Sequence, residues 1–129
     1  MDVFKTPGAV SWSELITPDP TAAAAFYGPL FGWAVDPMQM GNMGTYHVLK
    51  VGDNGIGGIM APPPDAPAMP AMWGVYVTVA NVEQTLEKCT SLGGKVMVPP
   101  MDVPNVGRMA VIQDPQGATL SVMQYLRAG

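Results

Sequence analysis

The chain has 129 residues, 48% of them hydrophobic and 12% charged, with a formal net charge of −4. That length suits one domain, which buries roughly two-thirds of the surface its unfolded chain exposes and needs neither disulfides nor metals to hold a core. The acidic balance, and the scattering of Lys5, Lys50, Lys88, Lys95, Arg108 and Arg127, exclude sequence-blind nucleic-acid binding, which draws on a stripe of Lys and Arg.

Met1 to Val10 holds no long apolar run and no small-residue cleavage site, so no signal peptide is expected. Ala9 to Ile16 reads as a strand. The run Thr17-Pro18-Asp19-Pro20-Thr21 stops it and starts a helix, with Asp19 or Thr21 as N-cap and proline in the first turn. The helix, Ala22 to Phe31, is alanine-rich and ends at Gly32, a candidate C′ glycine. Strands are predicted near Trp33 to Met38, Thr45 to Val51 and Gly55 to Met60. Asp53-Asn54-Gly55 supplies the hairpin turn between the last two.

The second half reads alike. Gly74 to Val79 is a strand with Val75, Val77 and Val79 on one face, and Gly74, Tyr76 and Thr78 on the other. Asn81 caps a helix from Val82 to Leu92, which Gly93-Gly94 stops. Strands follow near Lys95 to Val98, Arg108 to Gln113 and Ala118 to Gln124, with Asp114-Pro115-Gln116-Gly117 as the last turn. In the closing strand Leu120 and Val122 share one face, and Thr119, Ser121 and Met123 the other.

A shift of 62 positions aligns the halves without a gap. It sets Leu30 on Leu92, Gly32 on Gly94, Pro37 on Pro99 and Gly55 on Gly117, with Asp19 on Asn81. These matches fall at turns and helix ends, where glycine and proline have backbone reasons to stand. The expectation is an α+β fold of two βαβββ modules, forming a curved mixed sheet around a cavity. Module 1 covers about 8–61 and module 2 about 71–126 of a single domain. The linker at 62–70 is stiffened by prolines and reads as a passive connector or as a lid edge.

No stretch approaches the roughly 18 apolar residues of a membrane helix, so no membrane partner is expected. Cys89 is the only cysteine, which rules out an intrachain disulfide and fits the cytoplasm. Each sheet should pack its valine-rich face on its helix. The opposite faces then carry Trp12, Glu14 and Ile16, then Gly74, Tyr76 and Thr78, then Thr119, Ser121 and Met123. Two such faces curled together make a partly polar cleft suited to a small molecule.

Two segments carry a family likeness: Ser13-Glu14-Leu15-Ile16-Thr17-Pro18-Asp19 through Ala25-Phe26-Tyr27-Gly28-Pro29-Leu30-Phe31-Gly32-Trp33, and Asp114-Pro115-Gln116-Gly117-Ala118-Thr119-Leu120. They resemble the vicinal oxygen chelate superfamily, also called the glyoxalase, bleomycin-resistance and dioxygenase superfamily. FYGPLFGW is similar to a branch named glyoxalase-like or hydroxylase. The resemblance implies the paired-module fold. It also implies that metal-dependent members place ligands on the first and last strands of each module. The matching positions are Trp12, Ile59 (or its neighbours Gly57 and Gly58), Gly74 and Ser121, and none is a usual ligand. A catalytic zinc or iron site takes about three protein ligands, often two histidines and a carboxylate. With one histidine, a two-histidine site cannot form within one chain. No metal and no cofactor are expected.

Glu14 faces the expected cavity as a general base or ligand acceptor, or as a carboxylate paired with an arginine such as Arg108. Tyr76 offers a hydroxyl to a ligand, or an aromatic wall. Trp12 fills the vacated ligand place and offers a stacking surface, or fills core. His47, in Tyr46-His47-Val48-Leu49, is either structural or the one side chain whose ordinary pKa suits proton transfer near neutrality. Cys89 reads as an inert thiol. Met38, Met40 and Met43 form a candidate cavity rim.

Two readings compete. One is a metal-free small-molecule binder of the glyoxalase/bleomycin-resistance type, lined by Trp12, Glu14, Ile59, Gly74, Tyr76, Thr78, Ser121 and Met123. The other is a glyoxalase-like enzyme (lyase, isomerase or hydroxylase-like) using Glu14 with His47 or Tyr76, without metal. A structural or partner-binding module is the third. A homodimer is expected by analogy with the fold.

Overall fold

The computed structural model of the chain describes residues 1–41, 44–62 and 70–126. Met43 and residues 63–69 of the proline-rich connector lie outside them. In chain order the elements are β1 (Val10–Ile16), α1 (Pro20–Phe31), β2 (Ala34–Gln39), β3 (Thr45–Val51), β4 (Asn54–Met60), β5 (Met72–Thr78), α2 (Val82–Ser91), β6 (Lys95–Val103), β7 (Gly107–Gln113) and β8 (Thr119–Tyr125). The class is α+β, and βαβββ occurs twice. Among the described residues no helix is long and apolar enough to cross a membrane.

Two compact units divide the chain: Trp12–Gly74, and Met1–Ser11 with Val75–Gly129. Residues 8–11, expected in the first module, group with the second unit through hydrogen bonds. Gly8 N–H donates to the Thr78 carbonyl at 2.8 Å, and Thr78 N–H to that of Ala9 at 2.9 Å. Ser11 Oγ lies 2.7 Å from the Tyr125 hydroxyl.

In the first unit the strands run β2-β3-β4-β1, antiparallel except for the parallel β4–β1 pair. Asp19 starts α1 by accepting from Ala22 N–H, Pro20 follows in the first turn, and Gly32 ends the helix at φ 72°, a left-handed conformation that favours glycine. Leu15, Leu49 and Ile59 pack beneath Ala23, Ala24 and Tyr27 of α1, with Trp33 and Val35 beside them. Period-two alternation therefore turns Trp12 and Glu14 to the sheet face away from the helix.

The second unit repeats the plan as β5-β8-β7-β6, with β5 and β8 parallel. Asn81 caps α2 by accepting from Gln84 N–H. Val82 and Leu86 of the helix pack on Ala110 and Val122.

Two expectations need correction. β6 runs on to Val103, through Pro99 and Pro100, rather than stopping at Val98. It is an edge strand, where a missing N–H breaks no necessary ladder bond, and its pairing with β7 is irregular between Val98 and Met101. The gapless 62-residue shift also fails in the last hairpin. Residues 45–51 and 107–113 form matching strands, but β4 spans 54–60 and β8 spans 119–125. The second turn is longer, so Gly55 stands within a strand while Gly117 sits in a turn at φ 98°.

Candidate functional site

The first unit's far face is built by three adjacent strands. β4 lies between β3 and β1, so a side chain on β3 reaches β1 only by crossing β4. At the crossing stands Gly58, paired in register with Glu14 on one side and Val48 on the other. A Cβ built there would come 2.1 Å from both Cζ and the hydroxyl oxygen of Tyr46. The missing side chain is what lets the Tyr46 ring lie across the strand.

Tyr46 thereby joins two polar groups of β1. Trp12 Nε1–H donates to the Tyr46 hydroxyl at 2.8 Å, and that hydroxyl donates to Glu14 Oε1 at 2.8 Å. All three residues are partly buried. The Trp12 ring in turn lies on Gly55, where an added Cβ would stand 3.3 Å from Cη2. The result is an indole, a phenol and a carboxylate in one hydrogen-bonded chain over two glycines. Such a chain can accept a ligand's hydrogen bond at the carboxylate and stack a flat ring on the indole. It also sets a proton-bearing hydroxyl against a carboxylate.

The expected site residues are distributed unequally. Trp12 and Glu14 share this far face. Ile59 does not: it is 0% exposed, in the core with Leu15 and Leu49. Of the three alternatives at that position, Gly58 occupies the far face, one residue from Ile59. His47 shares the parity of Leu49, pairs in register with Pro37 and Ile59, and so lies on the helix side, opposite Glu14. Arg108 binds Glu83 and, at 3.0 Å, Asp102. The Glu83 carboxylate, then Asp102, hold the Arg108 guanidinium above its ordinary pKa.

In the second unit, Tyr76 is buried and directs its hydroxyl to Met109 Sδ at 3.8 Å. Ser121 pairs in register with Tyr76 and Met123 with Met109. Thr78 is buried, its hydroxyl donating to the Val3 carbonyl at 2.7 Å. Gly74, the last residue of the first unit, has nothing within 4 Å of an added Cβ among the described residues. Glu14 and Tyr76 stand at equivalent places in β1 and β5.

Tyr46 is the residue that sequence reasoning passed over in favour of its neighbour His47. Its signal was the glycine pair Gly57-Gly58 inside a strand, which marks a close approach by something else.

Among the described residues no three or more His, Cys, Asp or Glu side chains converge on a point that could hold a metal ion. Trp12, Gly58 and Gly74 offer no donor side chain, and Ser121 is a weak one for a divalent transition metal. Glu14 shares the first unit's far face with Asp36, whose carboxylate pairs with Lys50 at 3.1 Å. This donor set does not fit such a metal.

Residues 9–122 match the profile of the Glyoxalase/Bleomycin resistance protein/Dioxygenase superfamily. CFP32 of Mycobacterium bovis, whose name assigns it provisionally to the glyoxylases, is 42% identical over 117 residues, which is 91% of this chain and 44% of CFP32. The anthracycline biosynthesis protein DnrV of Streptomyces peucetius is 33% identical over 128 residues, 90% of this chain and 46% of DnrV. The chain thus spans about half the length of the curated relatives it matches. Among solved structures, methylmalonyl-CoA epimerase from Mycobacterium tuberculosis superposes with a TM-score of 0.71 at 12% identity, over 95% of this chain and 92% of the epimerase. At that identity the likeness shows the fold alone.

Proposed function

Since the chain belongs to the glyoxalase/bleomycin resistance protein/dioxygenase superfamily, we propose that it is a metal-free small-molecule-binding protein of this kind. The observation that carries the reading is the Trp12–Tyr46–Glu14 chain over Gly55 and Gly58. It supplies a flat stacking surface beside a carboxylate acceptor, held by neighbours rather than by solvent. A flat ring system bearing hydroxyl or ammonium donors suits it. The relative named for anthracycline biosynthesis supports that choice, because anthracyclines are fused flat rings with hydroxyl and amino donors.

The test uses protein purified without added metal and titrated with an anthracycline, whose own fluorescence reports binding. Saturable binding at one per chain, weakened about tenfold or more by Trp12→Ala, supports the reading. Absence of saturable binding, or equal binding by the variant, removes the ligand face. A stoichiometric divalent metal in native mass spectrometry removes the metal-free part.

A second reading is an enzyme working by acid–base chemistry without metal. The hydroxyl of Tyr46 donated to Glu14 favours it, since the pair can hold and return a proton. Turnover of a carbonyl substrate abolished by Glu14→Gln, with binding retained, would establish it.

Homodimer formation belongs to the same proposal. α1 carries no charged side chain and leaves Phe26, Leu30 and Phe31 more than half exposed, whereas α2 carries Glu83, Glu87 and Lys88. A second copy presenting the same uncharged face meets no like-charge repulsion there, despite the net charge of −4. Sedimentation velocity should show a dimer that Phe31→Glu converts to monomer. A wild-type monomer at all concentrations removes this part. A reducing cytoplasm is the compartment proposed, with Cys89 as a lone thiol.

A further inference from the structure

The second unit holds a half-open groove of about 920 Å³, within the size range of small-molecule sites. Three stretches distant in sequence wall it: Phe4, Lys5 and Pro7 near the N-terminus, the β6–β7 turn, and Tyr125-Leu126 at the end of β8. Each wall is pinned. The N-terminal stretch is tied to β5 by the Val3 carbonyl accepting from Thr78 and by Gly8 N–H donating back. The turn closes through Val106 N–H on the Val103 carbonyl at 3.0 Å, with Asn105 in the left-handed region at φ 64°. Leu126 N–H then donates to the Val106 carbonyl at 2.9 Å, joining the turn to the third wall.

The lining is mainly apolar, with one available cation among the described residues. The Phe4 and Tyr125 rings meet in a T-shaped contact, centroids 5.1 Å apart at 88°, and Val103, Pro104 and Leu126 continue the surface. The Tyr125 hydroxyl is bonded to Ser11, so the ring is what this residue offers a ligand. Arg108 and Asp102 reach the groove but bind each other. Lys5 is exposed and, among the described residues, forms no ion pair with a carboxylate.

We propose that this groove is a second ligand site, for a small amphipathic anion whose apolar body lies on Phe4, Tyr125 and Leu126 and whose acid group meets Lys5. It is separate from the Trp12–Tyr46–Glu14 face and does not rest on the function proposed for that face. The apolar body gains by leaving water, and the lysine selects the charged end.

The experiment titrates the whole chain with 8-anilinonaphthalene-1-sulfonate, then displaces it with dodecanoate. Saturable binding at one per chain is expected, with displacement. Lys5→Glu and Leu126→Asp should each weaken it about five- to tenfold, whereas Lys95→Glu, an equal charge change at an exposed site outside the groove, should shift it less than about twofold. Equal weakening by all three variants, no weakening by the groove variants, or no saturable binding overturns the proposal. Amide shifts of wild-type protein with dodecanoate need no variant. Movement concentrated at Phe4, Asn105, Val106 and Leu126 supports the groove, and movement elsewhere overturns it.

Discussion

The ring of Tyr46 lies over Gly58 so closely that a Cβ on the glycine would stand 2.1 Å from the tyrosine oxygen. A strand interior is a poor place for glycine, which gives up packing and conformational entropy there. Here the vacancy carries a phenol from β3 to the carboxylate of β1. Gly58→Ala should therefore displace the Tyr46 ring, the movable partner, rather than part the strands. A loss of about 1–3 kcal/mol is expected, with a change in tryptophan emission as Trp12 loses its acceptor. Gly74→Ala, with open space around it, should cost less than about 0.5 kcal/mol. Urea unfolding followed by fluorescence compares the two, and equal costs would refute this account.

Tyr46→Phe keeps the ring and deletes the hydroxyl that both accepts from Trp12 and donates to Glu14. Two half-buried groups lose a partner, for an expected cost of about 1–2 kcal/mol. Ligand affinity at the far face should fall with it, and calorimetric titration of the variant reads that directly.

Ile59 is 0% exposed and packs with Leu15 and Leu49. Ile59→Ala should cost about 2–4 kcal/mol through lost burial and a cavity. Folded variant, held well below its lowered melting temperature, should bind the far-face ligand as the wild type does. Lost affinity with intact folding would return Ile59 to the site.

The Glu83 carboxyl is held below its ordinary value of 4.5, mainly by the hydrogen bond from Arg108 and then by its own backbone N–H. A carboxyl depressed in the folded state adds stability above its unfolded pKa, and that stability is lost as pH falls through the folded value. Unfolding free energy should thus decline below about pH 4.5. Arg108→Met removes the main cause, so the decline should become shallower: the variant loses near neutrality the small contribution of this exposed pair and converges on the wild type at low pH. Urea midpoints between about pH 3 and pH 7 test the slope, and identical slopes would count against it.

Much of the fold was legible because its signals are local. Asp19 and Asn81 sit where a side-chain oxygen can meet the orphan N–H groups of a helix start, and both do so. The alternation of Trp12 and Glu14 with Leu15 assigned their faces before any partner strand was known. The site was less legible. His47 drew notice for its chemistry, yet the neighbour one residue away faces Glu14, and a single step along a strand reverses the face.

Sequence alone, then, determined which residues could share a face, where helices begin, and that one chain cannot assemble a two-histidine metal site. Those properties follow from residue type and from backbone periods of two and 3.6 residues. Tertiary structure decided the rest. Only the placement of β4 between β3 and β1 makes Gly58 the crossing point for Tyr46. Only the edge position of β6 lets a strand run through Pro99 and Pro100. Only the return of β5, β8 and the N-terminal stretch to one place builds the groove beside Lys5. Strand order and register arise from contacts between residues far apart in the chain, which no local pattern encodes.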